Sequence, residues 1–142
     1  MNKRDKLRQK KLFLYRKKIT DYVDELHWKS INYLTKNYTT ILIGNMSVKR
    51  ICAKDGNLTK MTKRIGQSMR LYVFKQRLKY KRECVGIKYE EIDESYTSKM
   101  CSNCGQIDKN LGSKKKYDCK GCKIVMDRDM NGARGIYIKK YM

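Results

Sequence analysis

The clearest chemistry in this 142-residue chain lies in four cysteines arranged as two pairs, Cys101/Cys104 and Cys119/Cys122, with residues 105–118 between them. A Cys-x-x-Cys pair can put two thiolates on one tight turn, and two such knuckles make a tetrahedral four-sulfur cage for Zn²⁺. Gly105 and Gly121 stand where a knuckle favours a turn with positive φ. Four metal-free neighbouring thiols, or two disulfides, are the alternatives. The paired spacing favours a zinc ribbon over residues 97–126. Lys114, Lys115 and Lys116 fall at its tip and are candidates for phosphate contact, with a solvated loop as the alternative. Two carboxylates, Asp127 and Asp129, follow the ribbon directly.

The elements that must position these groups are few. Residues 3–36 carry Leu12, Tyr15, Ile19, Tyr22, Val23, Leu26 and Tyr33 or Leu34 at three- and four-residue steps, which predicts one long amphipathic helix. His27 and Trp28 on it read as a surface or core-edge residue and a packing residue. The run 39–44, rich in β-branched side chains, predicts a strand covered on both faces. Residues 45–67, punctuated by Gly56, Asn57 and Gly66, read as loop. Ser68 is expected to cap a helix over 68–83, and the alternation from Val85 to Ile92 predicts a second strand. Strand, helix, strand implies a parallel pair, and two strands are too few for a stable sheet of their own. Asp129 is expected to cap a last helix over 130–141, whose small residues Asn131, Gly132, Ala133 and Gly135 permit close approach of another backbone. Cys52 and Cys84, with no paired cysteine, read as small buried hydrophobes.

Composition bounds the partners. Lys and Arg number 35 against 14 Asp and Glu, a formal net charge of +21, and nine of the basic residues fall in the first 18 positions. Such an excess points to a polyanion, most simply nucleic acid, with the basic arm along phosphates or merely solvated. No apolar run is long enough to span a membrane and no secretory pattern opens the chain. Paired cysteines of this kind suit a reducing compartment, hence an intracellular setting, cytoplasm or nucleus.

The segments TSKMCSNCG and DRDMNGARGI, with the second Cys-x-x-Cys between them, resemble the C-terminal part of the TnpB (transposon OrfB, transposase 35-like) proteins, whose relatives include eukaryotic and viral Fanzor proteins and type V CRISPR effectors. The match is best over 94–136 and extends loosely over the rest. The resemblance implies an α/β fold: a partial RuvC/RNase H-like nuclease with an inserted zinc ribbon and a long N-terminal amphipathic helix. It divides the chain into a partial nuclease region (1–96), the ribbon (97–126) and a C-terminal acidic motif with its helix (127–142). It also implies structural Zn²⁺ on Cys101, Cys104, Cys119 and Cys122, and Mg²⁺ held by carboxylates for phosphodiester hydrolysis. Asp129 corresponds to the family's last catalytic Asp, with Asp127 either structural or supporting the metal site from behind its ligands. The usual middle Glu is replaced by Gly44-Asn45, and Glu94 stands as its equivalent in IDESYTSK.

No residue matches the family's first catalytic Asp. The expectation is therefore a truncated TnpB-like, transposition-associated DNA endonuclease, weak or inactive alone. Its partners would be DNA, a guide RNA as in the family, no membrane, and a second polypeptide completing the fold. A non-enzymatic zinc-ribbon nucleic-acid-binding protein is the alternative, and a degenerate reading frame the third reading.

Overall fold

The structure is a computed structural model that describes residues 2–45, 58–108, 111–112 and 114–141. Its elements run α1 (Lys3–Asn37), β1 (Thr40–Gly44), α2 (Lys60–Ser68), α3 (Leu71–Val85), β2 (Lys88–Ile92), β3 (Lys116–Asp118), β4 (Val125–Asp127) and α4 (Arg128–Tyr141). They gather into two units. One holds α1, α2 and α3, and the other holds β1, residues 89–92 of β2, β3, β4 and α4. Among the described residues no helix is long and apolar enough to cross a membrane.

In the helical unit α1 packs on α2 and α3. The buried stripe of α1 is Val23, His27 and Ile31, spaced one turn apart, and α3 contributes the fully buried Leu78. The expected stripe shares only Val23 with it. Leu12, Tyr15, Ile19, Tyr22, Leu26 and Tyr33 are all exposed. Both stripes have helical spacing, but among the described residues only Val23, His27 and Ile31 meet partner helices. His27 is correspondingly a core residue at 3 % exposure. Its Nε2 lies 2.9 Å from the Met69 carbonyl oxygen, which can only accept, so Nε2 carries the proton. Nδ1 is left to accept from Arg77 at 3.3 Å. Arg77 and Arg70 donate to Asp24 at 2.7 and 2.8 Å, and the Arg77 hydrogen bond leads in holding that carboxyl below its usual range. Trp28 is partly exposed, and the Arg77 guanidinium lies 5.5 Å from its ring centroid.

Several boundaries differ from expectation for local reasons. Within the expected loop, Thr59 accepts from the Thr62 N–H at 3.2 Å and starts α2. Ser68 ends that helix rather than capping the next, its hydroxyl donating to the Ile65 carbonyl at 2.8 Å. The break before α3 is instead Arg70, left-handed at φ 49°. Val85 lies in α3, and Gly86 at φ 73° ends the helix, so β2 begins only at Lys88. Cys84, on the same last turn, is exposed rather than buried. Cys52 lies outside the described residues.

β1 pairs with β2. Lys88 N–H donates to Thr39 O and Asn45 N–H to Ile92 O, both at 2.9 Å, so the partners advance in the same direction, as in a parallel pair. Only Ile41 of β1 is buried, so the strand is not covered on both faces. α4 packs on β1 and on the β3–β4 hairpin. Two ion pairs tie its C-terminal end to the end of β2 and beyond: Lys140 with Glu90, and Lys139 with Asp93 at 2.7 Å.

The second pair has a pH signature. The Lys139 hydrogen bond, with Ser95 adding its own, holds the Asp93 carboxyl down at about 2, from an ordinary 3.8. A depressed folded value stabilises the fold above the ordinary pKa, and the stabilisation disappears as pH falls through the folded one. We expect thermal midpoints to fall on acidification from about pH 4 to about pH 2. Asp93→Asn should flatten that part of the profile, by a small amount because the pair is exposed and screened. An identical slope in the variant would rule the pair out as its source.

Candidate functional site

The two cysteine knuckles have the same backbone. Cys101 O accepts from Gly105 N–H at 2.9 Å and Cys101 N–H donates to Gln106 O at 2.8 Å. Cys119 O accepts from Lys123 N–H and Cys119 N–H donates to Ile124 O, both at 3.0 Å. The left-handed residue of each knuckle is the one after its second cysteine, Gly105 at φ 77° and Lys123 at φ 59°. Gly121 is therefore not the positive-φ residue expected. The β3–β4 hairpin, paired Lys116↔Asp127, Tyr117↔Met126 and Asp118↔Val125, supports the second knuckle. Tyr117, 1 % exposed, packs with Cys101 and Cys119 beneath Leu111, Ile124 and Met126. That burial leads in pushing its phenol up to about 12.

All four Sγ atoms lie within 4.8 Å of one another. Cys101 and Cys122 are 3.7 Å apart, Cys104 and Cys119 3.6 Å. A tetrahedron of Zn–S bonds of about 2.3 Å has edges of about 3.8 Å, whereas a disulfide needs about 2.05 Å. The spacing fits a four-sulfur metal cage and excludes two disulfides. The Ile124 N–H and then the Asn103 side chain hold the Cys122 thiol below its usual range, while the neighbouring thiols and burial push that of Cys104 up.

The acidic groups collect elsewhere in the same unit. One cavity of about 830 Å³ is lined by Glu94, Asp127 and Asp129, by Lys114, Lys115 and Arg128, and by the small face of α4. Asp127, not Asp129, caps the helix. Its Oδ1 accepts from the Asp129 N–H at 2.8 Å and from the Met130 N–H at 3.2 Å. β4 runs to Asp127, so the helix starts one residue later and Asp129 already lies in its first turn. Asp127 is thus committed to the backbone, while Asp129 is exposed with no such duty among the described residues. Glu94 lies over Gly44 at the end of β1. A Cβ on Gly44 would come within 2.1 Å of Glu94 Oε2. The Glu94 carboxylate therefore occupies space that a side chain at position 44 would need. Lys116, in β3, does not line the cavity, unlike the other two lysines of the run.

Sequence reasoning missed the latch between cage and helix. Asn131 is fully buried in α4. Its Oδ1 accepts from Ser102 N–H at 2.9 Å and its Nδ2 donates to Met100 O at 2.8 Å, on either side of Cys101. One turn on, a Cβ at Gly135 would sit 2.9 Å from Thr97 O. A polar residue amid a small-residue helical face was the available signal.

The chain is similar to known proteins both in sequence and in fold. Residues 72–136 match the family model described as Cas12f1-like, TNB domain. A TnpB-like protein of Acanthamoeba polyphaga mimivirus is 35 % identical over 136 residues, 95 % of this chain and 26 % of the relative. A CRISPR-associated endodeoxyribonuclease Cas12f1 of Sulfoacidibacillus thermotolerans is 32 % identical over 124 residues, 82 % of this chain and 29 % of that protein. In fold, the chain resembles Cas12f1 as seen in a cryo-EM complex with sgRNA and target DNA. The TM-score is 0.58 at 20 % identity, covering 94 % of this chain and 36 % of that one. The chain belongs to the TnpB-like and Cas12f1-like family. It spans about a quarter of the length of the curated relatives it matches.

Proposed function

We propose that this chain is the ribbon-bearing part of a TnpB-like, metal-dependent DNA endonuclease with a RuvC-like fold. In this reading Cys101, Cys104, Cys119 and Cys122 hold a structural Zn²⁺, and Glu94 and Asp129 are ligands of a catalytic divalent cation, Mg²⁺ by preference. The observation that carries it is the Glu94 carboxylate lying over Gly44 in the cavity that Asp129 also lines. Carboxylate oxygens are the donors a hard cation takes, and a cation there would activate water against a phosphodiester. Asp127, committed to the helix, has a structural role. DNA is the substrate class, the excess of basic residues favours polyanion binding, and a guide RNA is the second nucleic acid in view of the Cas12f1 complex.

Among the described residues only the four cysteines form a cluster of three or more ligands close enough to hold an ion. We infer that Glu94 and Asp129 need a further carboxylate, supplied by a second polypeptide or by residues outside those described, for full activity. The same observation favours a second reading, a zinc-ribbon module that binds nucleic acid without cutting it. Incubating the zinc-loaded protein and labelled DNA with Mn²⁺, with and without a family guide RNA, separates the two. The nuclease reading expects cutting that falls at least about a hundredfold in Asp129→Ala and in Glu94→Gln. Salt-sensitive binding with no cutting under any condition would establish the module instead.

A further inference from the structure

We infer that Arg128 is a positioning residue that fastens the ribbon tip over the carboxylate cavity, so that Lys114 and Lys115 hold the phosphate of the nucleic acid beside Glu94 and Asp129. The inference rests on the function proposed above and deepens it. Arg128 sits between the capping Asp127 and the exposed Asp129. As the first residue of α4, its N–H has no acceptor within the helix. Lys115 O supplies one at 2.8 Å. The other end of the same residue reaches along the tip, and Nη1 donates to Gly112 O at 2.7 Å. The two bonds bracket Lys114. The hairpin register Lys116↔Asp127 leads the backbone directly into this contact.

The charges make the arrangement useful. Three carboxylates line the cavity, and alone they would repel a phosphodiester. Lys114 and Lys115 line it too, are exposed, and form no ion pair with the described residues. A lysine is a flexible point charge, positioned only as well as the backbone that carries it. Arg128 gives its backbone N–H and one guanidinium N–H to that backbone. In this inference it acts through the lysines rather than on the phosphate.

The test uses the zinc-loaded full chain and a short labelled DNA duplex, with Ca²⁺ in place of Mg²⁺ to suppress cutting. Affinity is measured against salt for wild type, Lys114→Ala/Lys115→Ala, Arg128→Gln and the triple variant. The double variant should reduce the slope of log K on log salt by about 1.8, at about 0.9 per lost phosphate contact. Arg128→Gln should reduce it in the same direction, and the triple variant should bind like the double. Wild-type binding in Arg128→Gln, or no change in the double variant, would overturn the inference. So would a triple variant weaker than the double by a further tenfold or so, since Arg128 would then contact phosphate itself. If Arg128→Gln loses zinc, Arg128→Lys replaces it. That variant keeps the charge but not the span, and wild-type binding by it would equally overturn the inference. Because binding is read without cutting, a protein that never cleaves DNA still reports on the positioning. A cutting protein whose slope ignores Arg128 removes this inference alone.

Discussion

Replacing Cys101 by serine is expected to cost the chain its bound zinc and to melt residues 97–126, with the rest of the strand-bearing unit loosened after it. Cys101 is 1 % exposed, its Sγ lies 3.7 Å from that of Cys122, and it packs on Tyr117 and Cys119. This core is small, and metal ligation has to do much of the folding. In zinc-finger peptides that ligation amounts to about 10–16 kcal/mol of apparent binding energy, most of which appears as folding energy. A serine hydroxyl is a poor replacement for a thiolate. Zinc content by mass spectrometry under native conditions, with hydrogen exchange over the ribbon, reads the outcome. A chelator should reproduce the melting in the wild-type protein. Full zinc stoichiometry and unchanged protection in Cys101→Ser would contradict the four-sulfur cage.

The second large effect is expected at Asn131, which holds the cage to α4. Asn131→Ala leaves the buried Ser102 N–H without its acceptor and the half-buried Met100 carbonyl without its donor. Each orphaned buried group costs about 1–3 kcal/mol, so the variant should lose about 2–5 kcal/mol in denaturant unfolding. Asn131→Leu restores volume but not the bonds, and should be no better. Asn131→Asp keeps the acceptor and loses the donor, and should fall between. A loss below about 0.5 kcal/mol in Asn131→Ala would mean that water replaces both bonds and that the latch contributes little.

Some of this was legible in the residues because it is covalently local. The knuckle spacing gives the sulfur cage, since a two-residue gap fixes how far apart two thiols can stand. The small face of α4 was legible as a site of close approach, and Thr97 makes that approach at Gly135. What the sequence hid depended on choices made elsewhere in the fold. Asp127 and Asp129 are equally good caps by type, and only the end of β4 decides between them. The two apolar stripes of α1 have the same spacing, and only the placement of α3 selects Val23, His27 and Ile31. Val85 and Cys84 read as strand and core, but α3 carries its hydrogen bonding through to Gly86 and leaves both exposed. Glu94 could be singled out only through family resemblance, because nothing local marks it among Glu90, Glu91 and Asp93. Its meeting with Gly44 is a tertiary fact, made possible by the side chain that position 44 lacks.

The central claim, that Glu94 and Asp129 serve one cation, is tested most directly by Mn²⁺ binding to the zinc-loaded protein, followed by electron paramagnetic resonance. A Mn²⁺ site is expected whose affinity falls at least about tenfold in Glu94→Ala and in Asp129→Ala, and little further when the two are combined. Gly44→Ala, which pushes the Glu94 carboxylate aside, should weaken the same site, and Asp93→Asn should not. Mn²⁺ binding that is indifferent to Glu94, or to Asp129, would contradict the account.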